Sequence, residues 1–127
     1  MFLALMLNLT NRDFYLPFLG QMVYPTYLLK QQTPKGSTMK VRVHNVIPNS
    51  KILYWASYKN KHDFPWNAYD DYSNSGVALS NKDGIVVVEV KKPVSYKIPS
   101  GKLLKPHVHY RETLSDGMLS HVKTFYV

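Results

Sequence analysis

Lys105-Pro106-His107-Val108-His109-Tyr110-Arg111 alternates in character between two turn signals. In an extended chain, alternate side chains point to opposite faces. Val108 and Tyr110 then share one face, and His107, His109 and Arg111 share the other. Downstream, Ser115-Asp116-Gly117 turns the chain into a last strand from His121 to Val127. Upstream, Ser100-Gly101 is a turn that follows Tyr96-Lys97-Ile98-Pro99. Earlier still, Ile85-Val86-Val87-Val88-Glu89-Val90 is the strongest strand by composition and is expected at the centre of a sheet. Asn81-Lys82-Asp83-Gly84 before it reads as a hairpin turn. Gly76 to Ser80, Lys51 to Ser57 and the alternating Lys40 to Val46 supply three further strands, with a turn at Pro48-Asn49-Ser50. Short strands with regular turns predict an all-β domain, an antiparallel β-sandwich of about six to eight strands over residues 39–127.

Residues 1–38 read differently. Met1 to Leu7 is wholly apolar, but far shorter than the roughly 20 residues a helical bilayer span needs. It also lacks the basic start and the small-residue cleavage site of a signal peptide. Asn8-Leu9-Thr10 fits a glycosylation sequon, a triplet common by chance. Residues 14–29 are apolar and aromatic, yet Pro17, Gly20 and Pro25 interrupt any helix. Such a segment has to lie against something. It either packs back on its own sandwich as an extra edge strand or docks as an arm on neighbouring subunits or a membrane surface. In the second case the contact residues are Phe2, Leu5, Phe14, Tyr15, Phe18, Tyr24 and Tyr27. Gln31 to Thr38 is the polar linker.

Composition narrows the function classes. The chain has 127 residues, enough for one domain with an extension. It has no cysteine, so disulfides and thiolate metal sites are excluded. Sixteen Lys and Arg against eight Asp and Glu leave a net charge of +8, which favours acidic protein faces, anionic lipid or phosphate. The basic residues are scattered, and no specific nucleic-acid motif is present. Ten Tyr, five Phe and two Trp suit β-structure and contact surfaces. Residues 58–75 form a long aromatic loop, the kind that usually carries contacts.

Two imidazoles two residues apart on one strand face can bind one metal ion. The oxygen donors to complete such a site are Tyr96 and either Tyr69 or Tyr72. Two phenolates with two imidazoles suit ferric iron, Fe3+, because hard oxygen donors stabilise the higher charge. The bland alternative is a polar face whose histidines bond loop tyrosines and carboxylates.

The order Gly76, Asp83-Gly84, Lys92-Pro93-Val94-Ser95-Tyr96-Lys97-Ile98-Pro99 and Lys105-Pro106-His107-Val108-His109-Tyr110 resembles the carboxy-terminal half of the intradiol ring-cleavage dioxygenases. That resemblance implies a β-sandwich with Tyr96, His107 and His109 at the ligand positions of a non-haem ferric ion. This sequence has Lys105 where the family carries a substrate-orienting arginine, and it lacks the family's helical amino-terminal region. A second resemblance spans nearly the whole chain. It rests on Phe14 to Gly20, Leu53-Tyr54-Trp55-Ala56, Ala68 to Ala78 and Lys105 to Arg111. These stretches resemble small virion-associated proteins of large double-stranded DNA viruses of algae and protists. That resemblance implies a non-enzymatic minor capsid protein in the virion shell, assembled in the host cytoplasm, with major and other minor capsid proteins or the inner membrane as partners and no cofactor. A third expectation is an aromatic ligand-binding platform of Trp55, Trp66, Tyr69 and Tyr72.

Overall fold

A computed structural model describes residues 16, 20–24, 26–57, 72–97 and 100–127, without the side chains of residues 27, 96 and 97. Among these residues there is no α-helix, and every strand pair is antiparallel. The strands are β1 (Met22–Val23), β2 (Met39–Val43), β3 (Lys51–Ala56), β4 (Ser75–Leu79) and β5 (Val86–Val90). They continue as β6 (Tyr96–Lys97), β7 (Leu103–Leu104), β8 (His107–Glu112), β9 (Met118–Leu119) and β10 (Lys123–Tyr126). A 3-10 turn covers Thr26–Leu28. The expected all-β, sandwich-like fold is present.

The main sheet has the order β10-β8-β3-β4. A two-stranded sheet of β2 and β5 packs over one of its faces. The period-2 pattern explains the join. Val41, Val43, Val86, Val88 and Val90 turn inward and meet Ile52, Tyr54, Ala56 and Val108 from the main sheet. Lys40, Arg42 and Val87 face outward. Tyr54 is fully buried, and its hydroxyl donates to the Glu89 carbonyl at 2.9 Å, so the one polar atom it carries inward is bonded. Burial pushes the Tyr54 phenol up to about 12. Gly76 makes room for it, because a Cβ there would stand 2.5 Å from the Tyr54 hydroxyl.

One expectation is corrected. Val86–Val90 is not a central strand: among the described residues it pairs with β2 alone, and the central strands of the main sheet are β3 and β8. The Asn81–Gly84 turn does form: the Asn81 side chain accepts from the Asp83 and Ile85 amides, and Gly84 sits at φ 74°. Beyond it the two strands part, β4 joining β3 and β5 joining β2. The valine run marks a strand buried on one face against another sheet, not a strand flanked on both edges.

The opposite face of the main sheet is covered by the chain's own amino-terminal segment. Leu16, Tyr24 and Leu29 are buried there with Leu53, Trp55, Val77 and Leu119. β1 pairs with β9, and Gln32 exchanges two backbone hydrogen bonds with Val77, both 3.0 Å. Of the two fates open to residues 14–29, the described residues take the first and pack back on the sandwich.

Candidate functional site

β8 lies between β3 and β10, and its Val108, His109 and Tyr110 have a cross-strand neighbour on both sides. The register sets His109 between Trp55 and Thr124, His107 beside Tyr126 and Arg111 beside Leu53. The expected division of faces therefore holds, and the histidines share their face with the arm-covered core. The His107 and His109 rings meet edge to face, centroids 4.6 Å apart and 74° between planes. Their Nε2 atoms are 3.1 Å apart. The His109 ring is 5.5 Å from Trp55, and the His107 ring is 5.6 Å from Tyr126.

The hydrogen bonds restrict the protons. His107 Nδ1 lies 2.6 Å from the Lys105 carbonyl, so Nδ1 carries a proton and donates. In a neutral His107 ring, Nε2 is then an acceptor. His109 Nδ1 is 3.0 Å from the Thr124 hydroxyl, which can donate or accept. If Thr124 donates, His109 Nε2–H donates to His107 and the three bonds run in one direction. If His109 Nδ1 donates, two Nε2 lone pairs face each other, and a cation between them relieves the conflict. That cation is either a proton or a metal ion. Burial pushes the His109 imidazole down to about 4, and the neighbouring His107 adds to the shift, while the Lys123 backbone opposes it. His109 is therefore neutral at pH 7, the form that ligates metals.

The donor set fits a metal ion in part. A 3.1 Å separation lets both Nε2 atoms reach one ion at the usual metal–nitrogen distance of about 2.0–2.1 Å. Both Nδ1 atoms have oxygen partners, which is how ligating imidazoles are normally held. Tyr72 is half-buried against the arm-covered core at φ 58°. Tyr96 lies in β6, with its side chain outside the described residues, and Tyr69 lies outside them altogether. Among the described residues no three His, Cys, Asp or Glu gather. The structure thus brings together His107 and His109 of the expected ligand set.

The remaining expected contacts divide in the same way. Phe2, Leu5, Phe14, Tyr15, Phe18 and Trp66 lie outside the described residues, as does the side chain of Tyr27. Tyr24 is 3% exposed, so its ring is held inside its own chain. Trp55 is equally buried and forms core, not an open stacking surface.

Two features escaped the sequence. Arg111 is fully buried, and its guanidinium donates to the carbonyls of Ser120 at 2.5 Å and Gly20 at 2.7 Å, tying the arm to the sheet. Burial lowers it to about 10, so it stays charged at neutral pH. On the other face, buried Glu112 accepts from Lys123 at 2.6 Å and from the Ile47 amide at 3.1 Å. A charge on an alternating strand reads as solvent-facing, and no spacing signal separates these two residues from their exposed counterparts.

A scan against protein-family models finds no match to this chain, and a search of curated proteins finds none. Among the described residues no helix is long and apolar enough to cross a membrane.

Proposed function

We propose that the chain is a structural protein of an assembled shell, a minor capsid-type component of a large double-stranded DNA virus. Its amino-terminal residues tie it to neighbouring capsid subunits or to an inner membrane. The observation that carries this reading is the root of the arm. Leu16 is 2% exposed in a core shared with Leu53 and Trp55, and Arg111 bonds the Gly20 carbonyl. A strap has to be fixed at its own end before it can hold a neighbour. The apolar run Met1 to Leu7 begins a short distance upstream of that anchor. A net charge of +8 suits acidic capsid faces or anionic headgroups. Deleting residues 1–15 stops short of Leu16 and should abolish incorporation into particles while leaving the melting temperature within a few degrees. Normal incorporation of the truncated chain would refute the strap.

One observation favours a second reading, an iron-dependent dioxygenase or a relic of one: the 3.1 Å approach of the two Nε2 atoms. A bound ferric ion would supply Lewis-acid and redox chemistry there. His107 and His109 would hold it, and buried Trp55 would exclude water from one side. Iron in the purified protein near one atom per chain, a visible phenolate-to-iron colour, and loss of both in His107→Ala would support it. Colourless protein that takes up no iron on titration would sink it.

A further inference from the structure

The two edges of the main sheet are finished differently. At the β4 edge Val77 exchanges two backbone hydrogen bonds with Gln32, so the chain's own amino-terminal segment caps it. β10 forms the other edge. Its ladder fixes which backbone groups face outward. Tyr126 stands opposite His107, and the next amide, that of Val127, donates to the Pro106 carbonyl at 3.2 Å. Bonded and non-bonded pairs alternate along an antiparallel ladder. Lys123, Phe125 and Val127 therefore bond towards β8, and the N–H and C=O of Thr124 and Tyr126 point away from the sheet. Among the described residues no backbone group meets these four.

Soluble proteins usually guard an exposed edge with proline, a bulge or a charged side chain. In the small sheet β2 carries Lys40 and Arg42 in that role. β10 has no such guard. Neither proline nor glycine occurs from His121 to Val127, and the register with β8 runs unbroken from Lys123 to Tyr126. The Lys123 ammonium is turned back to buried Glu112 at 2.6 Å, which neutralises it. Phe125 packs against the valine core, while Tyr126 is 61% exposed at the rim. The strip is thus neutral on a chain of net charge +8. That excludes recognition by opposite charge and favours the one partner whose like charge has to be avoided, a second copy. The strip also fits itself. A two-fold axis beside Phe125 sets Thr124 of each copy opposite Tyr126 of the other, so every outward N–H and C=O is bonded and the two Phe125 rings are cross-strand neighbours.

We propose that β10 is a homodimer edge. Two copies join antiparallel through Thr124, Phe125 and Tyr126, and their four-stranded sheets run on as one continuous sheet. The contact is the same patch on both copies, so it closes at two. Four backbone bonds between short strands make a weak dimer, with a Kd of about 10–100 µM. The pairing requires neither the arm nor a metal ion, so it stands whether or not the shell reading holds.

The test is sedimentation velocity of the full chain with amide hydrogen exchange by NMR on the same samples. Between about 5 µM and about 1 mM the sedimenting mass should rise from one chain to two and stop there. The Thr124 and Tyr126 amides should exchange about threefold more slowly at about 1 mM than at about 50 µM, with the Leu79 amide unchanged. Raising salt should tighten the dimer, because it screens the repulsion between two +8 chains. Tyr126→Pro removes an outward N–H and no ladder bond, so it should leave the urea midpoint near that of the native chain and the protein a monomer at about 1 mM. Tyr126→Lys restores a guard, and it should weaken association at least about threefold, with recovery in high salt. A single chain at about 1 mM would overturn the proposal. So would growth beyond two copies, a dimer whose Thr124 and Tyr126 amides still exchange as in dilute solution, a dimer loosened by salt, or one that survives Tyr126→Pro.

Discussion

The two faces of the main sheet bury about the same kinds of strand residue but are covered in opposite ways. One face meets a second sheet, valine against isoleucine, tyrosine and alanine, with buried Glu112 the charged side chain turned to the same side. The other meets the chain's own amino-terminal segment, and it holds an arginine and two histidines beside Leu53 and Trp55. The first face is self-sufficient once its strands pair. The second depends on a segment distant in sequence, fastened by Arg111 to the Gly20 carbonyl and by Gln32 to Val77. Apolar packing fills one interior, while directional bonds decide how the other is closed.

That contrast is open to attack at several points. The largest expected effect is Arg111→Ala. It removes a buried cation that bonds two carbonyls and should cost about 3–5 kcal/mol in urea unfolding, with Arg111→Lys recovering only part. A cost below about 1 kcal/mol would show that the arginine is not what fastens the arm. Next is Gly76→Ala, whose new methyl meets both the Gln32 carbonyl and the Tyr54 hydroxyl. It should cost about 1–3 kcal/mol, since backbone cannot yield as a flexible side chain does.

Acid should act on the arm-covered face. His109 titrates at about 4 in the folded chain against 6.5 when unfolded, so the unfolded chain binds the proton first. Stability should be full above pH 6.5 and fall as the pH drops towards 4, by up to about 3 kcal/mol. His109→Phe should flatten that slope, and an unchanged slope would place the acid sensitivity elsewhere. The smallest effect is on the outer surface of the small sheet. Lys40 and Glu89 are 3.7 Å apart with the lysine 73% exposed, so Lys40→Ala should change stability by less than about 1 kcal/mol, less still in high salt.

The sequence was most legible where alternation or composition alone decides. Lys40 to Val43 and the division of faces on β8 follow from a period of two, and Lys51 to Ala56 and Val86 to Val90 from β-branched and aromatic composition. Alternation does not say which strands pair. Val86 to Val90 therefore looked central, though a two-stranded sheet buried on one face needs the same valines. The histidine pair was visible because two imidazoles two residues apart on a strand must share a face. Arg111 was not, because its burial depends on a carbonyl 91 positions away. The parting of β4 and β5 was invisible for the same reason: an Asp-Gly turn announces a hairpin, and only the sheets on either side pull its strands apart.

The central claim is that Leu16, Tyr24 and Leu29 belong to the sandwich's own core. Urea unfolding of a chain lacking residues 1–30 tests it most directly. Removing Leu16, Tyr24 and Leu29 strips one face of three buried side chains, each worth about 1.5–3 kcal/mol. The truncated chain should lose about 5 kcal/mol or more, or fail to fold at all. A midpoint equal to that of the full chain would mean that the second face closes without the arm, and the account given for it would be wrong.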